Sequence, residues 1–301
     1  MRTEHNCLPS RILLCVPRGG MNDTLCQIEK CRVYAKKYSR ALIIDSRRSG
    51  LRVPFAQLFL YLDPNENIDL DLAAVDYDHL NTLLCWPSVV QGNIGQYDVS
   101  WGAHIRNYVE TNSSVRLTFN FEKDYSSPLL VHEQCGGGDD SQVILTKLKI
   151  APEIMLYLNA RIAELPKTYI AVHVRNTDLK TNYIGYFETI NSKLLGKNVL
   201  ICSDDLNVAK FAKKYLVQSN VFTVTNSPNR KETLDNITTP NSDSNSEMKV
   251  ATMDALTDLI ALAQSKRLFF SNTESGGTSG FSRMASFLWR NPKIIASLLG
   301  D

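Results

Sequence analysis

The sequence predicts an α/β protein with two domains. Its 301 residues, 44% of them hydrophobic, are typical of a chain that buries about two hydrophobic cores. Short apolar segments alternate with helical patterns in both halves, which favours parallel sheets covered by helices. Polar or glycine-rich segments follow these apolar segments directly, and ligands of open α/β sheets bind at that edge.

The first half opens with a β-α-β pattern. The apolar segment Ile12–Val16 predicts a strand, and Arg18-Gly19-Gly20 follows it as a turn. A helical pattern then leads to a second apolar segment, Ala41–Ile44. A right-handed crossover between parallel strands is the usual outcome of this pattern.

The second half repeats strand–helix alternation after a boundary near Leu165-Pro166, so we predict domains at 1–165 and 166–301. The strands expected here are 169–174, 198–203, 221–225 and 267–271, and the helices are 186–195, 206–216 and 248–264. Residues 226–247 are rich in Asn, Ser, Asp, Thr and Pro, which indicates a long flexible loop. A last Gly/Ser/Thr segment, 272–279, runs into a helix.

Composition excludes several classes of protein. A net charge of +2 with 21% charged residues argues against a nucleic-acid-binding protein. No apolar run approaches the roughly 20 residues of a membrane helix. The seven cysteines lack pair spacing, which predicts reduced thiols and a cytoplasmic location. The histidines lack metal-ligand spacing, so no metal site is expected.

The strand end His173-Val174-Arg175-Asn176-Thr177-Asp178 is the first candidate site. Strand alternation delivers His173 and Arg175 to the same face. An arginine there suits bidentate contact with a phosphate, and Asp178 could orient it. An ordinary strand end closed by an Arg–Asp ion pair explains the same pattern equally well.

Three further strand ends carry polar residues. Ser203-Asp204-Asp205 fits helix capping better than metal binding. The segment Asn272–Arg283 places Gly, Ser and Thr before a helix, where free N–H groups favour an anion. Arg18-Gly19-Gly20-Met21-Asn22-Asp23 allows a ligand close to the backbone, although a tight turn needs the same glycines.

Two other segments are weaker candidates. Asp69-Leu70-Asp71 has the D-x-D spacing of metal-dependent glycosyltransferases, but no strand precedes it and we interpret it as a solvated loop. The glycine-rich segment 132–138 is either a linker or a wall of an acceptor site. No G-K-S/T follows the glycines of 272–280, and no G-x-G-x-x-G is present, which disfavours a P-loop or a dinucleotide enzyme.

The order of these motifs resembles the α1,6-fucosyltransferase and O-fucosyltransferase superfamily. AVHVRNTD (171–178) is similar to its H-x-R-x-x-D motif, and VLICSDD (199–205) to its strand ending in S/T-D-D. TDLIALAQSKRLFFSNTES (257–275), followed by TSGFSRMA (278–285), resembles its last motif. RGGMND (18–23) resembles its opening Gly-Gly loop. The similarity spans roughly residues 148–290, and the N-terminal part is local.

The resemblance implies a GT-B architecture of two Rossmann-like domains facing a central cleft, with the acceptor on the first and the donor on the second. It implies an inverting, metal-independent transfer of L-fucose from GDP-fucose to a glycan. It makes Arg175 the β-phosphate ligand, and His173 and Asp258 guanine contacts. The remaining donor contacts that it implies are Asp204, Gly19, Gly20, Thr278, Ser279, Gly280, Phe281 and Ser282. The candidate catalytic residues are therefore Arg175 and two aspartates, Asp178 and Asp23, each of which is a candidate general base.

Three positions depart from the family pattern. Its second arginine is Asn176 here, its lysine is Leu179, and the acidic residue that acts on the acceptor falls at Tyr183. The donor side is therefore retained better than the acceptor side. A catalytically degenerate module that binds a nucleotide or a glycan is the alternative hypothesis.

Overall fold

The computed structural model describes residues 10–51, 53–63, 68–69, 77–225 and 242–300, with the backbone alone for 69 and 242–248. The chain divides into two compact units, Met1–Leu148 and Lys149–Asp301. This division falls before the predicted boundary at Pro166, because the helix that precedes Pro166 packs within the second unit.

The first unit consists of short strands and one long helix. Its strands are β1 (Ile12–Cys15), β2 (Ala41–Ile44), β3 (Phe59–Tyr61), β4 (Ile68–Asp69), β5 (Cys85–Trp86), β6 (Val99–Gly102), β7 (Asn107–Glu110), β8 (Leu129–His132) and, across the boundary, β9 (Leu148–Ile150). Its α-helices are α1 (Met21–Lys37), α2 (Tyr77–Thr82) and α3 (Asp140–Leu145), with 3-10 helices at Phe55–Gln57 and Ser88–Val90.

Five strands of this unit form a parallel sheet in the order β4-β2-β1-β8-β5. Every residue of β1, β2 and β8 is buried, as expected for strands covered on both faces. Ile12, Leu14 and Val16 point to one face and pack on Leu129 and Val131. The strands β6 and β7 form a separate antiparallel hairpin.

The second unit contains four strands and six helices among the described residues. The strands are β10 (Ile170–Val174), β11 (Asn198–Ser203), β12 (Asn220–Phe222) and β13 (Arg267–Phe270). The helices are α4 (Pro152–Ile162), α5 (Tyr183–Leu194), α6 (Leu206–Tyr215), α7 (Ser242–Ala263), α8 (Gly280–Arg290) and α9 (Pro292–Leu299).

These strands form a parallel sheet in the order β12-β11-β10-β13. The core on one face joins Val172 and Val174 of β10 to α5 and α6, through Phe187 and Val208. On the other face α7 contacts β10 and β11, α8 contacts β13, and α9 packs on both helices. Helices therefore cover both faces of the sheet.

Most predicted elements are confirmed within a few residues. Three bounds differ by three residues or more: α5 begins at Tyr183 instead of residue 186, β12 ends at Phe222 instead of residue 225, and α7 begins at Ser242 instead of residue 248. The prediction of a flexible loop is therefore wrong for residues 242–247, and residues 226–241 lie outside the described ranges.

Candidate active site

The strand order of the second unit reverses between β10 and β13. The chain adds β11 and β12 on one side of β10, then returns to place β13 on the other side. Ligands of open α/β sheets bind at such a switch point, outside the carboxyl ends of the strands. His173 lies near the end of β10, and Ser271 follows β13 and donates its N–H to the His173 carbonyl at 3.2 Å.

A side-chain hydrogen bond joins β10 to the N-terminus of α8. The Nδ1 atom of His173 lies 2.7 Å from the Ser282 hydroxyl, and the His173 ring stacks at a tilt on Phe281, with centroids 5.1 Å apart. Burial lowers the pKa of His173 to about 4, although Asp204 favours the charged imidazole. The ring is therefore neutral at pH 7, where it positions α8 without adding charge.

Arg175, the first residue after β10, binds two carboxylates. Its Nη2 and Nε lie 2.5 and 2.9 Å from one oxygen of Asp178, and its Nη1 lies 2.9 Å from Asp204. Burial would raise the pKa of Asp178, but the Arg175 guanidinium and hydrogen bonds from Arg175 and Leu179 lower it. The predicted Arg175–Asp178 pair is thus present, and Asp178 is ionised.

The two aspartates after β11 have different partners. Asp204 accepts the Asn176 N–H at 2.8 Å and the Thr177 hydroxyl at 2.6 Å, so it holds the loop after β10. Asp205 caps α6 by accepting the Asn207 N–H at 2.9 Å. Capping is therefore confirmed for one of the pair, while Asp204 fixes the position of Arg175.

Asn176 connects the site loop to both of its ends. Its amide nitrogen donates to Asp205 at 2.8 Å, and its amide oxygen accepts the Thr181 N–H at 3.1 Å. The Thr181 hydroxyl donates to the Arg175 carbonyl at 2.6 Å. The residue that replaces the second family arginine therefore serves as a loop clamp.

The N-terminus of α8 offers backbone donors beside His173. Ser279 is the N-cap, and its hydroxyl accepts the Ser282 N–H at 3.1 Å. The N–H groups of Gly280 and Phe281 belong to the first helical turn, which has no intrahelical acceptors. Arg283 donates to the Thr278 carbonyl at 2.7 Å and fixes the preceding loop. Free backbone N–H groups at a helix N-terminus favour the binding of an anion.

Asp258 lies on α7 next to the ends of β11 and β12. It accepts the Thr225 hydroxyl at 3.0 Å. It also interacts with the Cys202 thiol, whose pKa is raised by burial and then by Asp258. Lys249, which lies on the same helix, forms an ion pair with Glu153 at 2.8 Å.

A pocket of about 320 Å³ opens beside the end of β13, lined by Thr181, Asn182, Tyr186 and Ser271 among others. The Ser271 hydroxyl is buried and makes no hydrogen bond with the part of the chain that the structure describes.

Tyr183, at the position of the family acid, packs into the protein. Its ring meets Phe211 edge-on at 5.4 Å and covers the core between α5 and α6. The side chain at this position therefore contributes to packing rather than to a polar acceptor contact.

The Gly-Gly loop lies in the first unit, between β1 and α1. Gly19 has φ +88°, and a Cβ there would lie 2.6 Å from an Asp23 carboxylate oxygen. A side chain at Gly20 would meet only open space. The requirement for glycine at 19 is thus a turn with positive φ, while position 20 leaves room for a ligand.

Sequence reasoning overlooked an arginine at the edge of this same sheet. Arg48 follows β2 and lies 3.4 Å from both oxygens of Glu133, which follows β8. Glu133 falls in the segment 132–138, for which the sequence allows either a linker or a wall of an acceptor site. The rule that found Arg175, a polar residue just after an apolar strand, applies equally to Arg48.

Metal and membrane features were sought over the described ranges only. There, no group of three or more His, Cys, Asp or Glu residues is placed to hold a metal ion. Of Asp69-Leu70-Asp71, Leu70 and Asp71 fall outside them, but Ile68–Asp69 forms β4 of the parallel sheet, so the expectation of a loop without a strand is wrong at Asp69. Within the same ranges no helix has the length and apolar character to span a membrane. The six cysteines described, which exclude Cys7, are free thiols.

The two parallel sheets, each covered by helices, define an α/β protein with a candidate site at a switch point of strand order. Comparison with known proteins narrows the type of α/β fold. No family model and no curated protein sequence matches the chain. Several solved structures, however, are similar to the chain. The α1,6-fucosyltransferase NodZ soaked with GDP-fucose has a TM-score of 0.60 at 20% identity, over 93% of both chains. NodZ from Bradyrhizobium has 0.59 at 19% identity, over 93% of this chain and 94% of the other.

The apo form of POFUT1 is also similar, with a TM-score of 0.54 at 12% identity, over 94% of this chain and 96% of that one. The chain therefore has the fold of the GT-B fucosyltransferases, and the predicted fold class is confirmed. At these identities the likeness establishes the fold. The roles of individual residues rest on the geometry above.

Proposed function

We propose that this protein is a glycosyltransferase that transfers L-fucose from GDP-fucose to a glycan acceptor. One observation carries the proposal: the His173–Ser282 hydrogen bond at 2.7 Å joins β10, which directly precedes Arg175, to the N-terminus of α8. In this proposal the Arg175 guanidinium and the free N–H groups of α8 both bind the donor at the switch point of the sheet.

In the proposed complex the second unit binds the donor. Arg175 contacts the β-phosphate, and the backbone from Ser279 to Ser282 contacts the other phosphate oxygens. Asp258 and His173, which lie on the same face of the sheet, contact the guanine. Asp204 acts indirectly, because it fixes the Arg175 loop through Asn176 and Thr177.

The transfer itself is an inverting displacement. A hydroxyl of the acceptor attacks the anomeric carbon, the bond to the β-phosphate breaks, and GDP leaves with the electron pair. Arg175 and the α8 N-terminus stabilise the negative charge that develops on the diphosphate. In this proposal they supply the charge compensation that a divalent ion supplies in metal-dependent transferases.

Two carboxylates are candidates for the base that removes the acceptor proton. Asp178 is bonded to Arg175 in this structure, so it acts only after the donor phosphate displaces it from the guanidinium. Asp23 lies in the first turn of α1 on the Gly-Gly loop of the first unit, which we propose binds the acceptor.

A second candidate function is a module that binds a nucleotide or a glycan without turnover. The packing of Tyr183 on Phe211 favours it, because the acidic residue of α1,6 enzymes has no counterpart at this position. Single-turnover assays with protein in excess over GDP-fucose distinguish the two functions. Formation of GDP supports an enzyme, and tight binding without GDP formation supports the module.

A thermal-shift screen tests the donor. GDP, GDP-fucose, GDP-mannose, UDP and UDP-glucose are compared at equal concentration, since a ligand at a hundredfold excess over Kd stabilises by about 2.7 kcal/mol. Stabilisation by GDP and GDP-fucose is expected. Stabilisation by UDP compounds alone would overturn the donor, and stabilisation by no nucleotide would overturn the function.

A further inference from the structure

The sheet of the first unit has a switch point of its own. From β1 the chain adds β2 and then β4 on one side, and β8 lies on the other side of β1. Arg18 follows β1, Arg48 follows β2 and Glu133 follows β8. Three charged side chains from distant parts of the sequence therefore meet at the edge where α/β sheets bind ligands.

Glu133 is a buried carboxylate shared by two arginines. Its side chain is 0% exposed, while those of Arg18 and Arg48 are 18% and 26% exposed. Arg18 bonds to it through Nε at 2.7 Å and Nη2 at 2.5 Å. Arg48 lies 3.4 Å from each oxygen and also donates to the Gly95 carbonyl at 2.9 Å. The Arg48 guanidinium also lies over the Tyr97 ring, 5.1 Å from its centroid. Burial is the main cause that raises the pKa of Tyr97, and the negative charge of Glu133 is the next.

The charges of this cluster do not balance. Among the described residues, Glu133 is the only carboxylate within ion-pair distance of Arg18 or Arg48, so two cations share one anion. The neighbouring Arg47 is bidentate to Asp45 at 3.0 Å and forms a neutral pair. Partly buried guanidinium groups with excess positive charge favour a second anion. Arg48 is the more loosely paired of the two, because its contacts with Glu133 are 3.4 Å long and those with the Tyr97 carbonyl 3.5 Å, so an anion can replace them.

An aromatic surface lies next to this charge. The Arg18 guanidinium sits over the Tyr108 ring at 5.0 Å. Tyr108 meets Trp101 edge-on at 5.4 Å across the hairpin of β6 and β7. Trp101 is 51% exposed. The apolar face of a sugar ring can pack on such an indole, and Tyr108 connects this surface to the Arg18 guanidinium.

We infer that the first unit binds an anionic glycan: a carboxylate or sulfate on the acceptor contacts Arg48 and Arg18, and a neighbouring sugar ring packs on Trp101. This inference rests on the proposed transferase function only in identifying the bound glycan as the acceptor, and the binding itself does not require turnover. Glu133 is the positioning residue, because it holds both guanidinium groups at the sheet edge.

The experiment uses a tetrasaccharide of alternating glucuronic acid and N-acetylglucosamine and its carboxyl-reduced, neutral counterpart. Calorimetry measures both on the full chain, on Arg48→Gln, on Arg48→Lys and on Trp101→Ala. Arg116→Gln is the matched control, since it removes the same charge from an exposed position of the same unit. GDP affinity and GDP-fucose hydrolysis are measured on every sample.

The wild type and Arg116→Gln should bind the acidic tetrasaccharide about tenfold more tightly than the neutral one. Arg48→Gln should lose this preference, Arg48→Lys should keep part of it, and Trp101→Ala should weaken both ligands alike. Equal affinities, an unchanged preference in Arg48→Gln, or no measurable binding of the acidic ligand would overturn the inference.

The donor diphosphate is the other anion that this cluster could bind. A loss of GDP affinity in Arg48→Gln, with the glycan preference intact, would assign the cluster to the donor and overturn the inference. Failure of GDP binding in the wild type would instead remove the proposed function, while a preference for the acidic tetrasaccharide would still establish the anion site.

Discussion

Arg175 holds Asp178 through a single carboxylate oxygen, with Nη2 at 2.5 Å and Nε at 2.9 Å. The third contact of the guanidinium, Nη1 to Asp204, is 2.9 Å long. The two carboxylates differ in exposure: the Asp178 side chain is 54% exposed and the Asp204 side chain 8%. Asp178 is therefore the partner that an incoming phosphate can displace, while Asp204 stays in place.

Replacing Asp178 by Asn should tighten GDP binding and slow transfer. The substitution removes a competing negative charge from Arg175, and an exposed ion pair is worth up to about 1 kcal/mol, or roughly fivefold in Kd. Transfer should fall by about 10²-fold or more if Asp178 is the base. Calorimetry and single-turnover rates measure both effects.

The controls for Asp178 are two other aspartates. Asp204→Asn should weaken GDP binding, because the loop that carries Arg175 loses its anchor. Asp23→Asn tests the second candidate base, and a larger loss of turnover there than in Asp178→Asn would assign the base to the Gly-Gly loop. Weaker GDP binding in Asp178→Asn would show that Asp178 only orients Arg175.

Arg175→Ala should nearly abolish transfer and weaken GDP binding. Loss of a charge-assisted contact to the leaving diphosphate costs about 2–4 kcal/mol in the transition state. Arg175→Lys should also be poor, because a point charge replaces the planar fork. Single-turnover rates, with circular dichroism to verify folding, provide the measurement. A rate of transfer equal to wild type in Arg175→Ala would remove Arg175 from the donor site.

The strands were predictable because they are continuous apolar segments. Ala41–Ile44 and Asn198–Ser203 have the predicted bounds, as parallel strands buried on both faces should. The start of α7 was missed because Ser242–Glu247 contains no apolar residue, so the helical period becomes visible only at Met248. Local pattern cannot reveal a helical turn that lacks an apolar side.

The sequence indicates which residues belong to the candidate site, but it does not show which of them bond to one another. The position of Arg175 after a strand indicated an anion site, and its pair with Asp178 lies three residues away. Whether Asp204 or Asp205 caps α6 depends on which carboxylate turns towards the loop at Asn176, a contact made across 28 or 29 residues. The Arg48–Glu133 contact spans 85 residues, and only the fold brings these side chains together.

Transfer activity should persist in EDTA without added metal. In the proposed mechanism, Arg175 and the N-terminus of α8 stabilise the diphosphate. EDTA removes neither the charge of the guanidinium nor the positive end of the helix dipole. The assay compares rates in EDTA, Mg²⁺ and Mn²⁺ after exhaustive dialysis. Loss of activity in EDTA that Mn²⁺ or Mg²⁺ restores would identify a metal requirement, and Asp204 and Asp205 would then be tested as ligands.

The free energy of unfolding should fall as the pH is lowered from about 6.5 towards 4. Burial lowers the pKa of His173 to about 4 and that of His132 to about 3, while an unfolded histidine titrates near 6.5. The unfolded chain therefore binds more protons in this window, and the stability from neutral histidine, fully present above it, is lost on acidification.

Urea unfolding at pH 7, 5.5 and 4.5 measures this dependence. His173→Gln and His132→Gln should each reduce the loss of stability on acidification, by an amount on the order of 2 kcal/mol. His104 is exposed, and His104→Gln is the matched control that should leave the pH dependence unchanged. An unaltered dependence in both buried variants would show that other groups cause the acid effect.

Asp258 should make the protein prefer GDP to UDP. Its carboxylate lies at the ends of β11 and β12, bonded to Thr225 and next to Cys202. Cys202 is the register partner of His173, so Asp258 and His173 lie on the same face of the sheet. Guanine presents N1–H and N2–H₂ on one edge, and a carboxylate accepts both. Uracil presents a single N–H between two carbonyls, which repel the second carboxylate oxygen.

Calorimetry with both nucleotides decides the role of Asp258. The wild type should bind GDP at least about tenfold more tightly than UDP, and Asp258→Asn should lose most of that difference while UDP binding is unchanged, since one charge-assisted bond is worth about 1.5–3 kcal/mol. Asp254→Asn is the matched control: it lies one turn away on α7, where Asp254 accepts the Tyr157 hydroxyl at 2.6 Å. Equal affinity for the two nucleotides, or an Asp258→Asn protein with unchanged GDP affinity, would remove the guanine contact and with it the main chemical reason to expect a GDP-linked sugar.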